Sequence, residues 1–333
     1  MNKNLNKDFL TQKIKPFNPK KVLNTEDLLI QLKYCGFQGR KLAQAFEILE
    51  QMLSDQECLT VLTLSGAMIP AGMAELIYIL MENELIDVIV STGANITHDL
   101  IDAITEGGHY IGTPHIDDEI LYKNRVNRIY DVFLPEDNYD LAENLLLMLL
   151  KNFFDTQKIE IMPSEFFKII GEAIDYRCLL SIASNKNIPI FIPAISDSEL
   201  ALDLIKFTEI ENYDIDFRVL KDVKRFARII EENEDCGTFI IGGGVPRNWT
   251  QQIFPYIENL KNTKRIDSEF GFKYSVRIHT AVEYDGGLSG CTVSESKSWG
   301  KYSLNSNFVS VWCDATIALP LLITGLMERL GLK

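Results

Sequence analysis

Between residues 39 and 53 the apolar positions Leu42, Ala43, Phe46, Leu49, Met52 and Leu53 recur every three or four residues, the spacing of an amphipathic helix. Beyond it the pattern changes to short continuous apolar runs at 59–64, 86–90, 188–192, 238–241, 274–278 and 308–312. Helical periodicity returns between them at 71–83, 139–154, 164–184 and 222–232. Strands that are apolar throughout, alternating with helices, predict a parallel sheet covered on both faces. The expected fold class is therefore α/β: a doubly wound, Rossmann-like parallel sheet with helices on both faces and an N-terminal helical extension. Residues 1–25 are mostly polar and read as an arm, leaving 26–333 as a single domain. Pattern alone leaves the strand order open.

In such sheets ligands bind beyond the carboxyl ends of the strands. Those positions are rich in small and hydroxylated residues: Ser65-Gly66-Ala67, Ser91-Thr92-Gly93-Ala94, Asp197-Ser198, Gly242-Gly243-Gly244, Thr280-Ala281 and Asp314-Ala315. Small residues there let backbone N–H groups approach a phosphate at a helix N-terminus. Ordinary strand-to-helix turns demand the same residue types, so each loop alone has both readings. No G-x-G-x-x-G follows the first run and no G-x-x-x-x-G-K-[ST] occurs, which disfavours a P-loop nucleotidase.

Composition narrows the picture modestly. The chain has 333 residues, 46% of them apolar, with 20 glycines and 11 prolines, so it is globular rather than low-complexity. Its 47 acidic residues outweigh 33 basic ones, and a net charge of −14 argues against a nucleic-acid footprint. No segment reaches the roughly 18 apolar residues of a membrane span; residues 315–326 come nearest. The polar opening 1–8 has no apolar signal core, so a cytoplasmic location without membrane attachment is expected. Six dispersed cysteines without a CxxC read as reduced thiols. His98, His109, His115 and His279 show no metal-ligand spacing, so no metal is expected. His98 is expected in a loop facing the nucleotide.

The segment 280–301 is too long for a simple connection, since loops beyond about 12–15 residues are usually functional. It carries Glu283, Asp285, Glu295, Trp299 and, after Gly300, Lys301. An indole beside a lysine strips its hydration, lowers its pKa from about 10.4 and frees an amine for imine formation. A solvated loop lysine is the plainer alternative.

Here the chain resembles the deoxyhypusine synthase family and its bacterial relatives, from about Gly36 to Leu326. The resemblance is carried by Ser91-Thr92-Gly93-Ala94, Asn127-Arg128-Ile129-Tyr130 with Leu134-Pro135, and Gly242-Gly243-Gly244-Val245. Its most specific parts are Glu283-Tyr284-Asp285-Gly286, Ser289-Gly290, Ser298-Trp299-Gly300-Lys301 and Asp314-Ala315. It implies that NAD is bound and a carbon beside the secondary amine of spermidine oxidised. A lysine then takes up an aminobutyl imine, releasing 1,3-diaminopropane; an acceptor amine collects the unit and the retained NADH reduces the product. Lys301 matches the imine-forming lysine. Glu295 and Trp299 match the polyamine pocket, and Ser289 and Asn248 are expected to bind substrate with them. Ser65, Thr92, Gly93, Ala94, Asp197, Gly243, Thr280, Asp314 and Ala315 match the NAD site. The resemblance further implies a homotetramer with sites between subunits, for which the apolar segments 145–150 and 315–326 offer interface material.

Three departures stand out: Leu288 and Leu202 replace aspartates, the latter beside Asp203, and Arg247-Asn248-Trp249 replaces Lys-His-His. Each lost carboxylate removes a charge-assisted contact of about 1.5–3 kcal/mol, or one to two powers of ten in affinity. The expected activity is transfer from a spermidine-like donor to an acceptor amine. A small amine or guanidino amine, giving a homospermidine-type or agmatine-type product, is favoured. The competing readings are a true deoxyhypusine synthase acting on a translation factor lysine, and an NAD-holding oligomeric binding module without turnover.

Overall fold

The computed structural model describes residues 10–105, 107–154, 158–262 and 269–332. All six apolar runs become strands of one parallel sheet: β1 (Cys58–Leu64), β2 (Val88–Ser91), β3 (Ile190–Phe191), β4 (Asp235–Ile241), β5 (Phe272–His279) and β6 (Tyr302–Trp312). They lie in the spatial order β3-β2-β1-β4-β5-β6. Side chains alternate across the pleat. Leu62, Leu64, Phe239, Ile241, Val276 and Ile278 join one apolar cluster, while Leu59, Val61, Val88, Val90 and Cys236 join another. The sheet is thus buried on both faces within a Rossmann-like α/β architecture.

The chain lays down β1, β2 and β3 in one direction, then returns to place β4, β5 and β6 on the other side of β1. Loops leaving β1 and β4 therefore run apart, and a crevice opens between their ends.

Two short additions were not expected. Tyr110–Ile111, Val132–Pro135 and Val126–Ile129 form an antiparallel sheet, and Lys158–Ile161 pairs in parallel with Asp214–Phe217. These strands are short and mostly part-exposed, so charged residues such as Arg128 interrupt their apolar pattern. Arg128 grips Asp118 through two contacts of 2.6 and 2.7 Å.

The helix expected over 164–184 is two helices, Pro163–Glu172 and Leu179–Lys186. The break is set by Cys178, whose sulfur accepts from the Ser181 N–H while its own N–H donates to Ser181 Oγ. Cysteine is not among the usual capping residues, so the start escaped the pattern. The two helices meet at Gly171, where a Cβ would lie 2.2 Å from the Leu180 carbonyl oxygen. Gly171→Ala is expected to cost about 2–3 kcal/mol through overpacking, read as a lower midpoint in urea denaturation.

Near the N-terminus, Thr25–Leu32 packs on the final helix Ala315–Leu330 through fully buried Leu29. Residues 10–24 before it are mostly exposed, and residues 1–9 of the expected arm lie outside the described residues. The apolar residues assigned to a subunit interface are largely absorbed within this chain. Leu146, Leu149, Leu150, Leu319, Leu322 and Ile323 are buried core, whereas Met148 and Ile317 remain exposed. No described helix is long and apolar enough to cross a membrane.

Candidate functional site

The crevice at the carboxyl ends of β1, β4, β5 and β6 encloses about 520 Å³, within the range of small-molecule sites. Its floor is the turn from β4 into the helix Gly244–Gln251. Gly242 and Gly244 take positive φ there, 82° and 62°, a region costly for other residues. A Cβ on Gly243 would stand 2.8 Å from Ser289 Oγ, whereas one on Gly244 would meet nothing within 4 Å. Ser65 Oγ donates to the Gly243 carbonyl at 2.5 Å, and the Gly244 N–H donates to Ser289 Oγ at 3.1 Å.

Ser65, Thr92, Asp197, Gly243, Thr280, Asp314 and Ala315 all line this crevice. Gly93 and Ala94 do not. Gly93 is buried, with its missing Cβ 2.3 Å from Ser198 Cβ, and Ala94 is exposed one residue into the helix Gly93–Thr105. Asp314 also caps the last helix, its Oδ1 accepting from the Thr316 N–H at 2.8 Å. His98 is not in a loop: it is buried within the helix Gly93–Thr105. Its Nδ1 meets His109 Nε2 at 2.9 Å, and His109 Nδ1 meets Asp102 at 2.6 Å. Burial, then His109, pushes the His98 imidazole down to about 4.

Across a thin wall lies a second cavity of about 300 Å³, lined by Asn248, Gln252, Glu283, Leu288, Glu295, Trp299 and Lys301. Of the residues assigned to a polyamine pocket, Asn248, Glu295 and Trp299 converge here with Lys301. Ser289 faces the larger crevice instead. Gly300, at φ 73°, turns the chain from the short helix Val293–Ser298 into β6. Lys301 follows, only 6% exposed, and its Nζ donates to Asn248 Oδ1 at 3.0 Å. Burial holds this amine below the ordinary lysine range; nearby Arg247 adds to the effect, while Cys291 and Glu295 oppose it. Trp299, expected to strip the lysine's hydration, is itself 65% exposed, although it borders the same cavity. Lys301, Gln252 and Trp299 also border an adjoining open cleft with Tyr256.

The wall between the two spaces is residues 288–291. Leu288 and Cys291 face Lys301's cavity, and Ser289 faces the crevice. Two buried arginines hold it. Arg247 donates to the carbonyls of Leu288 (3.2 Å) and Cys291 (2.9 Å), and to Ser296 Oγ (3.2 Å). Arg277 donates to the carbonyls of Gly242 (3.0 Å), Cys291 (3.0 Å) and Ser289. Burial and the neighbouring Arg247 charge bring the Arg277 guanidinium down to about 9. Arg277 is not among the expected site residues, although a charged residue between Val276 and Ile278 in an apolar strand is a visible signal. Among the described residues, no group of three or more His, Cys, Asp or Glu side chains could hold a metal ion.

A sequence profile described as deoxyhypusine synthase matches residues 27–326. The chain is 38% identical over 296 residues to probable deoxyhypusine synthase 2 of Archaeoglobus fulgidus, covering 88% of this chain and 94% of that one. It is 34% identical over 307 residues to the deoxyhypusine synthase-like protein of Chlorobaculum tepidum, covering 90% and 85%. A crystal structure of a deoxyhypusine synthase candidate from Entamoeba histolytica superposes with a TM-score of 0.63 at 18% identity, covering 94% and 96% of the two chains. AgrE in complex with ornithine and NAD+ superposes on 86% of this chain and 34% of its own, with a TM-score of 0.51 at 13% identity; it shares the fold alone. With the profile spanning nearly the whole domain, the chain belongs to the deoxyhypusine synthase family, a family of transferases.

Proposed function

We propose that this protein is an NAD-dependent transferase. It moves an aminobutyl-type group from a spermidine-like polyamine, through an imine on Lys301, to an acceptor amine. The carrying observation is a buried lysine with a lowered pKa sharing one cavity with Glu283 and Glu295, beside a glycine-floored crevice.

The crevice fits a dinucleotide. The reversal of strand order beside β1 supports the doubly wound reading, in which such ligands lie across the switch point. Gly244, with no atom within 4 Å of where a Cβ would lie, leaves that side of the backbone open to a pyrophosphate at a helix N-terminus. Asp197 and Asp314 suit ribose hydroxyls, and carboxylates there favour NAD over its 2′-phosphorylated form. Bound there, NAD would supply the two-electron oxidation of the donor and the later reduction of the product. Glu283 and Glu295 would hold the donor's protonated amines, orienting its carbon toward Nζ. The openings on two sides of Lys301 leave room for a departing amine and an arriving one.

Leu288 lines this cavity and is half-exposed; Leu202, on the helix Glu199–Ile210, does not line it. An influence of position 202 on the substrate would therefore require a second copy, in keeping with a cytoplasmic homotetramer sharing sites between subunits. Loss of both carboxylates favours a small or guanidino amine as acceptor. Leu288→Asp is expected to raise affinity for spermidine about tenfold, the weak end of one charge-assisted contact, measured by titration.

The test is a panel of donors and acceptors analysed by mass spectrometry, with thermal shifts on adding NAD. A raised melting temperature and a product retaining a four-carbon amine unit are expected. Labelling of a translation factor lysine alone would favour the deoxyhypusine synthase reading. A thermal shift without any product would favour a binding module, and no shift at all would end the NAD assignment.

A further inference from the structure

Among the described residues, Lys301 Nζ has one hydrogen-bond acceptor, the neutral Asn248 Oδ1 at 3.0 Å, from the helix Gly244–Gln251. We propose that Asn248 is the positioning residue that presents Lys301 as a neutral, aligned nucleophile. The proposal rests on the transferase reading for the chemistry of the attack, but not for the state of the lysine.

Among the described residues, charged or titratable groups face Nζ from several elements. Arg247, beside Asn248 on the same helix, repels an ammonium, whereas Cys291 and Glu295 attract one across the cavity. Glu283 lies on the rim of the same cavity, and Tyr256 and Glu258 on the adjoining cleft. The group in hydrogen-bond contact is an amide, which accepts one N–H from either protonation state and cannot ionise. It fixes the direction of Nζ without adding the full charge attraction of a carboxylate.

The attack needs no more than this. A neutral Nζ adds to the carbon of a protonated donor imine, forming the new carbon–nitrogen bond. One proton passes from Nζ to the departing nitrogen, the bond from carbon to that nitrogen breaks, and a neutral amine leaves. A protonated imine on Lys301 remains, so charge and protons balance without a base at position 248. A starting ammonium, by contrast, has no lone pair to give.

The experiment reads Lys301 directly, in the full-length protein with NAD and no polyamine. Formaldehyde with cyanoborohydride is applied from pH 6 to 11, and labelling of Lys301 is quantified by peptide mass spectrometry. The unaltered protein should label with a midpoint below the ordinary lysine value of about 10.4. Asn248→Asp should raise that midpoint by at least one unit and shift the pH profile of transfer equally. Asn248→Ala should leave the midpoint within half a unit while lowering kcat about tenfold at unchanged donor KM; Asn248→Ser should recover part of kcat. Asn248→Asp keeps the side chain's size, so it remains informative if the alanine variant folds poorly. An unmoved midpoint in Asn248→Asp, or full kcat in Asn248→Ala, overturns the proposal. Labelling as expected with no product from any polyamine would sink the transferase reading and leave the lysine assignment standing.

Discussion

Lys301→Arg is expected to abolish transfer, lowering its rate by at least roughly a thousandfold, since loss of a covalent nucleophile leaves only binding and positioning. Arginine keeps the positive charge but stays protonated and cannot form an imine. Borohydride added during turnover should trap a substrate adduct on Lys301 in the unaltered protein and none at this position in the variant. Dinucleotide affinity should survive, because Lys301 does not line the larger crevice. Lys301→Ala, which adds no bulk beside Asn248, should give the same loss. Undiminished transfer in either variant would end the covalent mechanism.

Arg277→Leu should be the most damaging substitution outside the reacting groups. The guanidinium is 2% exposed and supplies donors to three main-chain carbonyls, those of Gly242, Ser289 and Cys291. Leucine would take this donor from the Gly242 and Ser289 carbonyls in a place water scarcely reaches, at about 1–3 kcal/mol each, while the Cys291 carbonyl keeps Arg247. Relief of the repulsion with Arg247 offsets part of this, so a net loss of about 2–4 kcal/mol is expected from urea denaturation. Because the freed segment 288–291 walls both spaces, NAD affinity and donor affinity should fall together. Limited proteolysis should show new cleavage near residues 286–292. A variant that keeps both affinities and the parent's stability would disprove the clamp.

The strands were legible because each is a run of apolar residues buried on both faces, as in 59–64 and 274–278. Their order was not, because β1 and β4 carry equivalent apolar patterns and nothing local records that Leu64 lies beside Ile241. Cys178 hid a helix start by capping with sulfur. Lys301, Glu295 and Trp299 were legible through a motif, and their convergence with Asn248, from a helix some fifty residues earlier in the chain, is what folding adds. Ser289 was expected beside the amine through the family resemblance, yet it borders the larger crevice, while Leu288, next to it in a single tight helical turn, borders the cavity of Lys301. Trp299 illustrates the reverse limit: neighbourhood in sequence suggested an indole packed over the lysine, whereas most of that indole faces solvent.

The placement of β1 also bears on synthesis. Its seven residues, Cys58–Leu64, are all buried, and one long edge is satisfied solely by Asp235–Ile241. In a chain growing at about 5–20 residues per second, that partner arrives roughly ten to thirty seconds after β1 has been made. Until then an apolar strand offers unpaired N–H and C=O groups to any other nascent chain, the usual template for edge-to-edge aggregation. The same delay forbids a simple division of the molecule. A fragment ending before residue 235 would keep β2 and β3 yet expose the central strand, so it should require a chaperone or accumulate as insoluble material, while the full-length chain closes its own edge.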